Sequence, residues 1–250
     1  MGKTKDKLSR LREINLSETR KKIRENIGNE QLIIQAINCL GELNKTANTI
    51  SKRIREWYAL YCPEAVREIT ENEQLCREIT QTPKEELMKI YGKNKEPMGA
   101  FLDKKDVTHI ENLANLAKQN YDAVESQKDY IEKLVKKTCP NVYELTKGLI
   151  GAQLIDHAGS LKNLASMPAS KLQLLGAEKA LFRHLRTGAR SPKHGLLIQH
   201  QYVSCAKQKG KAARMLADKI SIAARIDYFN GEFIGDKLRK ELEEKLEKLK

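Results

Sequence analysis

Between Gly176 and Gly195 the chain reads GAEKALFRHLRTGARSPKHG, and its residue types suit one kind of chemistry. Ala177, Ala180, Leu181 and Leu185 recur at helical spacing and predict a helix with one apolar, buried face. Lys179, Arg183, Arg186 and Arg190 lie on or beside the other face, with Lys193 and His194 just past the end. Gly188 reads as the helix stop, and Pro192 prevents a restart. Glu178 is the only acid in the stretch. Cations gathered on one side of a short element suit an anionic surface, of which phosphate is the commonest. Spacing alone leaves an ordinary solvated basic face equally open.

The rest of the chain sharpens the charge argument. Net charge is +13, and residues 141–226 hold 14 Lys and Arg against 4 Asp and Glu, a net of +10 on about a third of the chain. Such concentration favours a polyanion partner over mere solubility. Cys39, Cys62, Cys76, Cys139 and Cys205 form no CxxC pair, which predicts reduced thiols. No apolar run approaches the roughly 20 residues that cross a bilayer, and the charged start is no signal peptide. The expected setting is cytoplasmic, without a membrane partner.

Other chemistries lack their residues. His157, His184, His194 and His200 lie near Cys205 in sequence, but none has the pairing of a structural zinc site, and basic surroundings oppose a cation. No metal or cofactor is expected. Gly210-Lys211 lacks the first glycine of a phosphate-binding loop, which would fall at Cys205. No nucleophile elbow or paired-carboxylate motif occurs, so no catalytic residue is assigned. His200 follows the apolar run Leu196-Leu197-Ile198. It reads either as a packed histidine or as a ring that stacks on an RNA base.

The elements that must position these residues read as all-α. Met1 to Leu16 is charged and weakly periodic, which predicts a flexible lead-in, with Ser17 as the first N-cap. Ala36, Leu40, Leu43, Ala47, Ile50, Ile54, Trp57 and Tyr61 form a heptad seam ended by Pro63. A second seam runs through Ile110, Leu113, Ala117, Asn120, Val124, Gln127, Ile131, Leu134 and Thr138 to Pro140. The two predict an antiparallel coiled-coil hairpin over residues 17–140, each arm about 45 Å long, with Asn120 and Gln127 fixing register. The irregular tip, residues 64–105, contains a helical piece from Lys84 to Tyr91 and is the expected dimerisation surface. A compact helical domain follows over residues 141–230. Within it Gly159-Ser160 ends one helix and caps the next, and Leu196–Ile198 is left as strand or helix start. An amphipathic, mainly solvated helix capped by Asp236 closes the chain over residues 231–250.

GAEKALFRHLRTGA, with IGAQLIDHAGSLKNLASMPASKLQLLG before it and SPKHGLLIQH after it, resembles the Nop domain of box C/D ribonucleoprotein core proteins, closest to the archaeal form. The similarity spans residues 33–200 and is densest over 149–200. It implies a coiled-coil hairpin that self-associates, followed by a Nop domain. Lys179, Arg183, His184, Arg186, Arg190, Lys193, His194, Gln199 and His200 match the RNA-binding positions, and Gly176, Ala177 and Glu178 those that meet a protein partner. The implied partners are box C/D guide RNA and a kink-turn-binding ribosomal-type protein. The implied role is a non-catalytic scaffold for guided 2′-O-methylation of ribosomal or transfer RNA. Family members also carry an N-terminal domain that docks the fibrillarin methyltransferase. Only sixteen residues precede the first expected helix, which puts that recruitment in question for this chain. A splicing-factor-like ribonucleoprotein role and a coiled-coil assembly protein without specific RNA binding are the other readings.

Overall fold

A computed structural model describes residues 2–92 and 97–248, with side chains from Leu8 onward except at residues 25 and 26. Every regular element among them is helical. The helices are α1 (Gly2–Asn26), α2 (Asn29–Tyr61), α3 (Pro63–Glu68), α4 (Asn72–Gln81), α5 (Lys84–Tyr91), α6 (Lys104–Thr138), α7 (Pro140–Ala158), α8 (Leu161–Ser166), α9 (Ala169–Leu174), α10 (Glu178–Thr187), α11 (Gln201–Ser204), α12 (Lys209–Tyr228) and α13 (Gly235–Glu247). A 3-10 helix, Leu196–Gln199, precedes α11. The chain forms two compact units, residues 38–130 and residues 1–37 with 131–250.

In the first unit α2 and α6 run antiparallel. The Ser51 and Tyr121 hydroxyls meet at 3.1 Å, and the rings of Trp57 and His109 pack edge to face at 5.5 Å. The buried stripe is shifted from the expected seam. Leu40, Ala47, Ser51, Ile54 and Tyr58 face in, whereas Trp57 is 40% exposed. On α6, Ala114 and Tyr121 are buried where Leu113 and Asn120 were expected. Asn120 bonds the Leu116 carbonyl of its own helix, so the Ser51–Tyr121 pair, rather than Asn120, ties the helices together. The shift has a cause in α4, which covers one flank of the pair. Cys76 reaches Ser51, and Arg77 bridges Glu73 and Asp122.

The tip is correspondingly folded rather than irregular. Ile69, Leu75, Cys76, Ile79 and Leu87 join Ile54, Tyr58 and Ile110 in one apolar cluster. The Arg55 guanidinium bonds the carbonyls of Val66, Ile69 and Thr70 and the Asn72 side chain, which satisfies the end of α3. Lys84–Tyr91 is α5, as its spacing predicted.

The second unit is built round α12, whose Ala212, Ala213, Leu216, Ala217, Ile220, Ala223 and Ala224 are all fully buried. Small side chains let α7, α8, α9 and α13 approach it closely. Asp227, near the end of α12, caps the start of α7. Its carboxylate accepts from the backbone N–H groups of Asn141 (3.1 Å) and Val142 (2.9 Å) and from the Asn141 amide (2.8 Å). The Asn141 oxygen in turn accepts the Ile234 N–H, which sets the entry to α13.

Three expected boundaries change. Residues 1–16 were expected to be a flexible lead-in capped at Ser17, but from Gly2 the chain is helical through Asn26. Lys, Arg, Glu and Leu are good helix formers, and the weak periodicity signals only that no face is buried. Every side chain described in α1 is exposed. The hairpin and domain limits move as well, because residues up to 37 and from 131 belong to the second unit. Glu30 accepts the Leu161 N–H and Glu132 that of Gly148. Residues 231–248 belong to the same unit. Leu238 and Leu242 are buried, Arg239 pairs with Glu144 and Lys219 with Glu241, and the N-cap is Ile234 in place of Asp236.

Candidate nucleic-acid interface

α10 starts from a turn that only glycine fits. Gly176 has φ 85°, and a Cβ there would lie 2.5 Å from the Leu196 side chain. Glu178 folds back on that turn and accepts the Gly176 N–H at 2.7 Å, with His157 3.8 Å away. Burial alone would raise its carboxyl. The Gly176 and Glu178 N–H groups and His157 outweigh that and hold it below the usual range. Glu178 thus holds the start of the helix.

The helix is more open than its stripe predicted. No α10 residue is buried, and Phe182 and Leu185 are 62% and 70% exposed. Lys179, Phe182, Arg183, Leu185 and Arg186 line a shallow groove on its outer side. Cationic and apolar side chains therefore share one face.

The following loop is pinned at both ends. Gly188 stops α10 in the left-handed region at φ 67°. His184, an expected RNA-contacting residue, is held by the Ala189 carbonyl through Nδ1. The Gln173 amide donates to the Lys193 carbonyl (2.6 Å) and the Gly210 carbonyl (3.3 Å), and the Gly195 N–H donates to the Gln173 carbonyl (2.9 Å). Gly195 lies against the Leu175 carbonyl, where a Cβ would come within 2.0 Å. Arg190 and Lys193 remain exposed, and His194 is half-buried.

Leu196–Gln199 resolves as the 3-10 helix, with Leu197 buried. Gln199 is exposed, but His200 is not the open ring that base stacking needs. His200 caps α11, its Nδ1 accepting the Tyr202 N–H at 3.2 Å while the ring also bonds the Leu145 carbonyl. Burial, with Lys147 nearby, lowers its pKa against the raising effect of that carbonyl. The Leu145 carbonyl is available because α7 breaks at Lys147, whose φ of 60° and ψ of −178° are rare outside glycine. Glu132 caps the second half of α7 with both carboxylate oxygens 3.1 Å from the Gly148 N–H.

Residues 39–248 match the Nop family, described as "snoRNA binding domain, fibrillarin". The chain belongs to the Nop family. It is 38% identical over 238 residues to an uncharacterized NOP5 family protein of Methanocaldococcus jannaschii, covering 88% of this chain and 57% of that protein. It is 36% identical over 255 residues to human nucleolar protein 56, covering 92% of this chain and 43% of that one. The chain thus spans about half the length of these relatives. The crystal structure of a fibrillarin/Nop5p complex shares the fold, with TM-score 0.59 at 22% identity over 98% of this chain and 80% of that one.

In this Nop domain the basic stretch is one assembly of α10, its loop and the start of α12. Gln173 and Gly210 hold the loop in place, and Phe182 stands among the cations. Sequence reasoning had singled out none of the three as a site residue. Phe182 lies off the apolar stripe, which was the available sign that it points outward. Nothing local marks Gln173, and the break at Lys147 is marked only by the adjacent Gly148.

Proposed function

We propose that this chain is a non-catalytic scaffold of a box C/D ribonucleoprotein. It binds guide RNA already folded by a kink-turn-binding ribosomal-type protein and supports 2′-O-methylation of ribosomal or transfer RNA by a fibrillarin methyltransferase. The observation that carries this reading is α10, a ten-residue helix with no buried residue. Its groove mixes Lys179, Arg183 and Arg186 with Phe182 and Leu185. A purely electrostatic RNA site has no use for two large exposed apolar side chains, and a purely protein-binding site has none for the cations.

The composite surface is tested by titrating box C/D guide RNA alone and with the kink-turn protein. Bare RNA is expected to bind weakly and through charge, with affinity falling by about 0.7–0.9 in log slope per phosphate neutralised. The RNA–protein complex is expected to bind far more tightly. Equal affinity for both would remove the composite reading.

The first unit supplies a self-association surface in the same reading. Leu60, Met98 and Phe101 are exposed near the end of α2, where the Ala100 N–H bonds the Leu60 carbonyl. Large apolar side chains left this exposed are candidates for burial against a second copy. Sedimentation is expected to show a dimer that Phe101→Asp with Met98→Asp dissociates. A monomer at all concentrations would exclude it.

A further inference from the structure

A cavity of about 440 Å³ opens next to the 3-10 helix and α11. The broken turn of α7, Leu145 to Lys147, forms one wall, Gln199 to Tyr202 another, and Arg239 of α13 a third. Its size is that of a small-ligand cleft, about 300–1,000 Å³. Two acids line it, and both are engaged within the chain. Glu132 holds the Gly148 N–H, and Glu144 holds Arg239 at 2.7 Å. The Arg239 Nε is buried and has no hydrogen-bond partner. Leu149 and Ile150 supply apolar surface, and the His200 and Tyr202 rings lie 4.8 Å apart along one side.

We propose that this cavity receives one unpaired base of the bound RNA. A base is flat, apolar on its faces and rich in donors and acceptors at its edge. The cavity offers surfaces of the same kinds. The exposed amides of Gln199 and Gln201 can each donate and accept. Glu144 is ion-paired with Arg239, and exposed Lys147 supplies a cation against the charge of Glu132. His200 then acts as a positioning residue. Its bonds to Tyr202 and Leu145 fix the wall, and it does not itself supply the stacking ring. This assignment rests on the RNA-scaffold reading and adds to it a source of base preference, which arginine contacts to phosphate cannot provide.

The test uses the full chain with guide RNA and kink-turn protein. Each unpaired nucleotide is replaced singly by an abasic one. One position is expected to lose affinity on the order of 10- to 100-fold. Gln199→Ala with Gln201→Ala changes only exposed side chains. This variant is expected to lose a comparable amount on unmodified RNA, with an unchanged salt slope, and little more on the sensitive abasic RNA. That non-additivity is the signature of one shared contact. If every abasic RNA binds like the unmodified one, or if the two losses simply add, the cavity assignment falls while the scaffold reading stands. If the parent chain does not bind the RNA–protein complex at all, the scaffold reading falls and takes the cavity with it.

Discussion

Asp227→Ala is expected to lower the thermal midpoint of the unit formed by residues 1–37 and 131–250 by about 10 °C. The carboxylate is buried and accepts three hydrogen bonds, two from the backbone at the start of α7. Alanine leaves those donors inside the fold without acceptors, a loss of about 3–5 kcal/mol, and in a domain of this size each kcal/mol shifts the midpoint by about 2–4 °C. The acid has its own pH signature. Burial raises its pKa above the ordinary 3.8, against the lowering effect of Val142 and Asn141. The linked stability is present below that ordinary value and is lost as pH rises through the folded one. Melts of parent and variant across the acid range measure both effects. A variant that melts with the parent would show that the cap is dispensable.

Phe182→Ser with Leu185→Ser is expected to weaken binding to the RNA–protein complex by about 30-fold or more, the loss when an interface hot spot of about 2 kcal/mol is removed. Both side chains are largely exposed, so the fold should change little. The salt slope should stay at the parent value, because neither residue releases a counterion. Arg183→Ala and Arg186→Ala should instead each lower that slope by about one unit. Bare RNA should bind the serine variant as it binds the parent. If the variant lost affinity for bare RNA as well, Phe182 and Leu185 would be contacts to nucleic acid rather than to protein.

Local signals were legible where chemistry within a few residues decides the structure. Gly188 stops α10, and Gly159 with Ser160 ends one helix and begins the next, Ser160 accepting the Asn163 N–H. Decisions made by distant residues were not legible. The α2 stripe turned toward Ser51 and Tyr58 because α4 covers that flank. α13 looked solvated by composition, yet Leu242 is fully buried. The His200 environment depends on a carbonyl freed by a break 53 positions earlier in sequence, counting from Lys147. That break occurs at a lysine, and the only local sign of it is the glycine that follows, Gly148. The basic character of the candidate interface was plain from composition, whereas Leu185, on the stripe expected to be buried, joined its apolar component only when α10 proved to have no buried face.

The chain has one tryptophan, Trp57, and it lies edge to face with His109 in the unit of residues 38–130. Its emission is therefore a private spectroscopic channel for that unit. The other unit, which carries α10, Asp227 and the cavity, contributes no indole signal. A denaturation curve followed by tryptophan emission reports the melting of the hairpin unit, and far-ultraviolet circular dichroism reports the helices of both, so the difference between the two curves isolates the unit that carries α10.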